Sequence, residues 1–284
     1  MLTRVRGYFA FRSGAEFSTE SQELEKNGHT LLQGVFNGVE VQALAEEISR
    51  VFETKPRSNR AGGSRTDADD ECFRYEMLNH SPLSQLAIAN PKILATIEPL
   101  LGEDCHVIAN TAWRNPPNDT SSHGGQAWHI DAGPHIPLPA GTTWPEHIPH
   151  PVFAIGTHIY LKDCELADGP TGVLEGSHLS GAFPPPKQAL DDDLTYNGKN
   201  VTPLLAKAGD VGMFVSDIWH RRMTTMEGDQ GRFFLQAHYG RRDIAQRIST
   251  TKTTNHLSKE AINRASTQRE QALIGLHKPF FYDG

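Results

Sequence analysis

The sequence predicts a mainly β protein with flanking helices, built around a double-stranded β-helix (jelly roll) core. Helix-capping signals and helical periodicity occupy the first third of the chain, whereas short β-rich runs separated by proline and glycine follow Gly102. No repeat of about 20–50 residues is visible, which excludes solenoids and propellers. We predict a single domain over residues 1–284, with a helical part to about residue 104, a jelly-roll core over about 105–242 and a helical tail over about 243–284.

Four helices are predicted from capping residues and apolar spacing. Asn37 can cap a helix whose apolar side chains fall on one face, namely Val41, Leu44, Ile48, Val51 and Phe52. Ser81-Pro82 and Asn90-Pro91 each pair a capping residue with proline at the first helical position, and Gly102 can close the second of these helices. A last helix is predicted to begin after Ser258 in the polar tail.

The β-rich runs cover residues 105–113, 152–161, 211–216 and 233–239. Two connections between them are long: residues 132–151, which include six prolines, and residues 181–202. A third polar segment, residues 55–70, is predicted to be a mobile loop between helices. Long loops inside a compact domain are usually functional lids or are disordered, and we expect residues 55–70 and 132–151 to close over a substrate.

Composition excludes several classes of protein. The chain has 27 Lys plus Arg against 34 Asp plus Glu, and the net charge of −7 argues against a nucleic-acid partner. No apolar run approaches the roughly 20 residues of a membrane span. Three scattered cysteines exclude a disulfide scaffold and a four-cysteine zinc site, and they favour a cytoplasmic protein with reduced thiols. The oligomeric state stays open, and a homodimer is compatible with the sequence.

The most informative local motif is His129-Ile130-Asp131. Residues i and i+2 of a strand point the same way, so this imidazole and this carboxylate would converge on one point. Together they supply two of the three ligands of the facial triad that holds non-heme iron(II). The alternative is a surface strand with alternating polar residues. The third ligand would be a later histidine, and His178 and His220 both follow strand-like runs.

The strand over residues 232–239 carries a polar face and an apolar face. Arg232, Phe234, Gln236 and His238 share the first. These residues either face solvent or line a cavity, where Arg232 would offer a planar fork to a carboxylate. The sequence alone does not decide between these two orientations.

The order of motifs along the chain resembles the phytanoyl-CoA dioxygenase (PhyH) family of Fe(II)/2-oxoglutarate-dependent oxygenases. The resemblance covers about residues 24–242, and within the family the sequence is similar to members from natural-product biosynthesis. It comprises residues 27–34 (NGHTLLQG), the His129-x-Asp131 pair, residues 161–178 with LKD, DGPT and GSH, and the interval from residues 209–210 (GD) through His220 to Arg232.

Carried onto this sequence, the resemblance implies that His129, Asp131 and His220 bind iron and that Arg232 pairs with the distal carboxylate of 2-oxoglutarate. Gln126 and Thr171 resemble residues that contact this cosubstrate in family members, although each also has an ordinary structural interpretation. Arg114 stands where many relatives carry a lysine near the cosubstrate. The implied cofactors are Fe(II), 2-oxoglutarate and O2.

The implied function is a dioxygenase that hydroxylates a C–H bond of a small, largely apolar metabolite, with release of succinate and CO2. The sequence departs from the family's pattern at two positions, and both departures argue against an acyl-CoA substrate. Glu175 replaces a frequent proline, and Arg222 replaces the serine of acyl-CoA-type members. The alternatives are an acyl-CoA hydroxylase of the same family, and a cupin-like metalloprotein with non-oxidative chemistry.

Overall fold

The structure is a computed structural model that describes residues 17–54, 72–117, 127–131, 133–244 and 257–277. Its helices are α1 (Thr19–Asn27), α2 (Gly38–Thr54), α3 (Met77–His80), α4 (Pro82–Ile88), α5 (Pro91–Leu101), α6 (Lys259–Arg264) and α7 (Gln268–Leu273). Its strands are β1 (His29–Leu32), β2 (Phe73–Tyr75), β3 (His106–Asn115), β4 (Ala154–Tyr160), β5 (Thr171–Val173), β6 (Thr202–Pro203), β7 (Val211–Val215), β8 (His220–Arg222) and β9 (Arg232–Gly240).

Four of the helices, α2, α4, α5 and α6, begin at the capping residues that the sequence predicts, whereas α1, α3 and α7 were not predicted. The Asn37 carboxamide oxygen accepts hydrogen bonds from the backbone N–H groups of Val39 and Glu40 at the start of α2. Ser81 and Asn90 cap α4 and α5 in the same way, each followed by proline. These bonds satisfy N–H groups that lack a partner inside the helix, which fixes where each helix starts.

Two antiparallel sheets form the centre of the molecule. The larger sheet has the strand order β1-β7-β4-β9-β3-β2, and the smaller has the order β6-β5-β8. Strand β9 lies between β4 and β3, with Gly156 of β4 opposite His238 and Thr111 of β3 opposite Gln236. Because a strand alternates its side chains between two faces, this register gives the large sheet one face toward the helices and one toward the small sheet.

The helix-facing side of the large sheet forms the main hydrophobic core. Side chains of α2 and α5 pack there against alternate residues of the strands, including Ile155, Ile159, Val211, Leu235 and Tyr239. The apolar face predicted for α2 is the buried face of that helix. The helices therefore cover the apolar side of the sheet, and the face of β9 that carries Arg232 and His238 is on the other side.

The predicted strands are found, with boundaries that differ by one or two residues. The predicted loop over residues 55–70 lies outside the described residues. Residues 181–202 form an ordered connection that contains the 3-10 turn Pro186–Gln188 and reaches β6 at Thr202. Among the described residues, no helix is both long enough and apolar enough to cross a membrane.

Truncating α2 at its buried face tests this packing. Ile48 is 0% exposed in the main core, so Ile48→Ala removes buried methyl groups and leaves a cavity. We expect the free energy of unfolding to fall by about 2–5 kcal/mol in denaturant titrations. Gln42 is exposed on the same helix, and Gln42→Ala should change stability by no more than about 0.5 kcal/mol. Equal effects of the two variants would contradict this packing.

Candidate metal centre

Two distant segments of the chain meet through a reciprocal pair of backbone hydrogen bonds. The His129 N–H donates to the His220 carbonyl, and the His220 N–H donates to the His129 carbonyl, both at 3.0 Å. This isolated antiparallel bridge sets the two imidazole rings side by side, with their centroids 4.3 Å apart. The bridge therefore brings together two histidines that are 91 residues apart in the sequence.

The prediction that His129 and Asp131 lie in a strand is only partly right. The Asp131 N–H donates to the Ser216 carbonyl (3.0 Å), which is out of register with the bridge, and the ladder stops after one residue pair. The backbone turns soon afterwards, at Gly133 with φ 108°. Both side chains nevertheless reach the same point.

His129, Asp131 and His220 form a group that could hold a metal ion. One ligand atom from each lies within 4.8 Å of the others. The Asp131 Oδ1 atom is 3.5 Å from His220 Nε2 and 3.9 Å from His129 Nε2. Two neutral nitrogens and one carboxylate oxygen are the donor set of the facial triad, which leaves further positions of the metal open.

Backbone contacts orient both imidazoles toward this point. His129 Nδ1 lies 2.8 Å from the Ala127 carbonyl, and His220 Nδ1 lies 2.9 Å from the Ile218 carbonyl. A carbonyl oxygen only accepts hydrogen bonds, so Nδ1 carries the proton in each ring. In the neutral tautomer the Nε2 lone pair is then free to bind a metal, and a hydrogen bond of this kind is the usual orienting contact of a ligating histidine.

The three side chains also differ in charge. Burial and the neighbouring His220 lower the pKa of His129 to about 4, so its ring is neutral at pH 7. Burial acts to raise the pKa of Asp131, but His220 and His238 outweigh it and hold that pKa well below its usual value. Burial alone would lower the pKa of His220, but the Asp131 carboxylate raises it instead. The group therefore carries a half-buried, ionised carboxylate, which favours a cation at its centre.

Asp131 has a further partner that the sequence did not identify as a site residue. His238 Nε2 lies 2.7 Å from Asp131 Oδ2, the oxygen that does not face the two histidines. His238 belongs to β9, whose polar face contained it in the sequence analysis without a known orientation. The signal that could have found it is its spacing of six residues from Arg232 along one face of the strand.

The polar face of β9 points into the space between the two sheets. Arg232 is 6% exposed, its guanidinium donates to Asn115 Oδ1 at 3.2 Å, and it lies 5.4 Å from the centroid of the Phe234 ring. Within the described part of the chain, the Arg232 Nε atom is buried without a hydrogen-bond partner, and no carboxylate forms an ion pair with this guanidinium. Burial and the neighbouring Arg222 lower the pKa of Arg232 to about 10, so it stays charged at pH 7.

His158 of β4 links this guanidinium to the His-Asp-His group. Its ring packs against Phe234 at 4.3 Å and Phe214 at 5.2 Å. Burial and the charge of Arg232 hold the pKa of His158 well below its usual value; His238 and His220 lower it further, and Asp131 opposes them weakly. The same interior therefore contains the carboxylate at one end and the buried cation at the other, with the neutral His158 imidazole between them.

The structure gives different outcomes for the other residues that were predicted to lie near 2-oxoglutarate. Thr171 is buried in β5 opposite Arg222, and its hydroxyl makes no hydrogen bond within the described residues, so its role stays a prediction. Gln126 lies outside the described residues.

The interpretation of Arg114 is wrong, because its guanidinium lies 4.4 Å from the centroid of the Phe52 ring, on the helix-facing side of the sheet. Arg114 neighbours Asn115 in β3, and strand alternation sends the two side chains to opposite faces.

Two tryptophans attach the long connection over residues 181–202 to this site. Trp128 precedes His129, and its indole N–H donates to the Asp191 carbonyl at 2.7 Å. Trp219 precedes His220, and its indole N–H donates to the Ala182 carbonyl at 2.8 Å. Both rings pack in one small cluster with Ile130, Leu174 and Leu194. The connection is therefore fixed to the same two segments that carry the histidines.

Comparisons with known proteins agree with this arrangement. The family model described as phytanoyl-CoA dioxygenase (PhyH) matches residues 24–222, well over half of the 284 residues. None of the curated proteins matches the sequence significantly. Several solved structures resemble the fold at low sequence identity.

Three of these structures illustrate the likeness. The epimerase SnoN, in complex with Fe3+, alpha ketoglutarate and nogalamycin RO, has a TM-score of 0.60 at 17% identity, over 84% of this chain and 90% of that one. HygX from Streptomyces hygroscopicus, with nickel, 2-oxoglutarate and hygromycin B bound, has a TM-score of 0.55 at 16% identity, over 79% and 87%. EctD from S. alaskensis in its apoform has a TM-score of 0.60 at 16% identity, over 84% of each chain.

At these identities the structures show the fold, and they confirm the jelly-roll class that the sequence predicted. The family model adds a match in sequence across both histidines of the bridge and the aspartate beside them. The chain belongs to the phytanoyl-CoA dioxygenase (PhyH) family of iron- and 2-oxoglutarate-dependent oxygenases.

Proposed function

We propose that the protein is an Fe(II)- and 2-oxoglutarate-dependent dioxygenase that hydroxylates a C–H bond of a small, largely apolar metabolite, with release of succinate and CO2. The observation that carries this proposal is the pairing of two features in one interior. One is the His129-Asp131-His220 group, and the other is the buried Arg232 guanidinium without an ion-pair partner among the described residues.

The donor atoms of the group fit iron(II). Two imidazole Nε2 atoms and Asp131 Oδ1 converge, and both rings are held in the tautomer that a metal needs. In this proposal His129, Asp131 and His220 are the protein ligands, and the remaining metal positions are left for 2-oxoglutarate and O2.

The environment of Arg232 fits the distal carboxylate of the cosubstrate. A buried cation without a counter-ion is costly, and a carboxylate that reaches it would restore an ion pair with charge-assisted hydrogen bonds. Arg232 Nε and His158 Nδ1 both lack hydrogen-bond partners within the described residues, so this interior offers polar contacts to a ligand. A diacid can bind at both ends of the interior, whereas a mono-acid leaves the guanidinium without a counter-ion.

Bound iron and 2-oxoglutarate supply the oxidising power, with O2 consumed and the cosubstrate decarboxylated to succinate and CO2 as the substrate C–H bond is oxidised. The chain contributes orientation and the exclusion of water. Arg232 orients the diacid by its distal end, and the backbone carbonyls of Ala127 and Ile218 orient the two imidazoles. Trp128 and Trp219 fix the connection over residues 181–202 beside the site, which limits access by water.

Apolar residues near the site support the proposed class of substrate. Phe183 and Leu190 lie in the connection fixed by the two tryptophans, and they are 64% and 67% exposed. These two exposed apolar side chains are the structural basis on which we propose an apolar ligand over a highly charged one. The net charge of −7 likewise disfavours a polyanionic acyl-CoA, and Arg222 replaces the serine of acyl-CoA-type members. SnoN and HygX, which share the fold, were solved with the small molecules nogalamycin RO and hygromycin B.

Removing a proposed ligand should abolish metal binding. We expect His129→Ala and Asp131→Ala to bind no Mn(II) in calorimetric titrations at concentrations that saturate the wild-type protein, because each variant loses one of three donors. Succinate formation with Fe(II), ascorbate and 2-oxoglutarate should fall to background in both. His147 is an exposed histidine of the proline-rich segment, and His147→Ala serves as the control that keeps metal binding. Unchanged metal binding in both ligand variants would refute the assignment.

A substitution at Arg232 distinguishes the proposed oxygenase from the alternative, a cupin-like metalloprotein that has no diacid cosubstrate. We expect Arg232→Ala to weaken 2-oxoglutarate binding by about 2–5 kcal/mol, roughly 30- to 5000-fold, since one partner of a buried ion pair is lost. Mn(II) binding should be retained, which provides the internal control. The measurement is a titration of the metal-loaded protein with 2-oxoglutarate. An undiminished affinity for 2-oxoglutarate would favour the cupin-like alternative.

The substrate class can be tested by asking which compounds stimulate the turnover of 2-oxoglutarate and are oxygenated in the same reaction. We expect candidate small apolar metabolites to stimulate succinate formation from 2-oxoglutarate above the uncoupled rate, and mass spectrometry should detect a product heavier by one oxygen atom. Acyl-CoA thioesters at equal concentration serve as the comparison. Stimulation by the thioesters alone, with an oxygenated acyl product, would overturn the proposed substrate class in favour of the acyl-CoA hydroxylase.

A further inference from the structure

One oxygen of Asp131 is bound by the protein itself. Asp131 Oδ1 faces His129 and His220, whereas Oδ2 lies 2.7 Å from His238 Nε2. A carboxylate oxygen only accepts hydrogen bonds, so the His238 Nε2–H group donates. The two oxygens of one carboxylate therefore have separate partners, and rotation of Asp131 about its last bond would break the bond to His238.

His238 is itself held by its position in the large sheet. It stands directly opposite Gly156 of β4, and Gly156 stands opposite Phe214 of β7 on the other side. The three residues form a row across β9, β4 and β7 on the face that points toward the small sheet. The Phe214 ring meets the His238 ring edge-on with the centroids 6.3 Å apart, and it also lies 4.8 Å from the His220 ring.

The absence of a side chain at Gly156 creates the space that His238 occupies. A Cβ atom at this position would lie 2.8 Å from His238 Nε2, 2.9 Å from His238 Cδ2 and 2.8 Å from Phe214 Cζ. Such distances are shorter than real Cβ contacts, so both rings, or the backbone that carries the new Cβ, would have to shift. The atom of His238 that would be displaced is the nitrogen that donates to Asp131.

We propose that His238 is a positioning residue for the metal centre, which fixes the Asp131 carboxylate with Oδ1 toward the two ligand histidines, and that Gly156 is a glycine in order to admit its ring. This inference rests on the proposed function, because it assigns His238 a role toward the metal that Asp131 would bind. A hydrogen-bonded partner behind a metal-ligating carboxylate orients the ligand, and its loss typically lowers metal affinity about 10–100-fold.

The test measures the affinity of the metal-free protein for Mn(II) by calorimetry, without cosubstrate, in the wild type and in His238→Ala, His238→Gln and Gly156→Ala. We expect affinity to fall about 10–100-fold in His238→Ala and to be largely restored in His238→Gln, whose amide N–H can donate to Oδ2. Gly156→Ala should lower affinity as His238→Ala does. His106 is another buried histidine, the first residue of β3, whose two ring nitrogens contact His277 and the Ile244 carbonyl, and His106→Ala should leave the affinity unchanged.

A double variant distinguishes positioning from a general loss of packing. If Gly156 acts by admitting the His238 ring, Gly156→Ala should lower Mn(II) affinity in the wild-type background and have no further effect in the His238→Ala background. Thermal unfolding of each metal-free variant verifies that the chain is folded. If His238→Ala does not fold, the test uses His238→Gln and Gly156→Ala. Loss of Mn(II) affinity in Gly156→Ala, with affinity largely kept in His238→Gln, then supports the proposal.

The inference and the proposed function fail in different ways. Wild-type affinity in folded His238→Ala or Gly156→Ala, together with loss of binding in Asp131→Ala, would overturn the role of His238 and leave the metal site intact. Equal losses from Gly156→Ala in both backgrounds would also overturn it, since Gly156 would then act without His238. Binding that persists in Asp131→Ala would overturn the proposed function itself.

Discussion

The backbone bridge between His129 and His220 is the interaction on which the site depends. Its two hydrogen bonds of 3.0 Å place adjacent imidazoles from a loop segment and from β8 on one side of the chain. Each residue before a histidine is a tryptophan whose indole binds the connection over residues 181–202. A single local pairing thus sets the spacing of two proposed metal ligands and also fixes the segment that lies beside them.

Strand β9 supplies the remaining constraint, because it is buried on both faces. Its apolar face packs in the main core under the helices, and its polar face lies between the sheets. This position makes buried polar groups costly unless they are paired. His238 is paired with Asp131, whereas the Arg232 guanidinium is held by Asn115 and has one buried nitrogen without a partner among the described residues. The same strand therefore contacts the His129-Asp131-His220 group at one end and carries a buried guanidinium at the other.

Local signals in the sequence predicted much of this structure. The caps at Asn37, Ser81 and Asn90, and the apolar face of α2, follow from interactions within a few residues, and the order of short motifs identified the family. The orientation of β9 could not be predicted, because the same alternation of polar and apolar residues occurs whether the polar face is toward solvent or toward a cavity. The contact between His238 and Asp131 joins residues 107 apart, and only the tertiary fold brings them together.

A crystal structure of the protein grown with Mn(II) and 2-oxoglutarate under anaerobic conditions would test the central claim most directly. The account predicts anomalous density for one metal bound by His129 Nε2, Asp131 Oδ1 and His220 Nε2, with the distal carboxylate of 2-oxoglutarate against the Arg232 guanidinium. A metal bound elsewhere, or a diacid that does not reach Arg232, would contradict it.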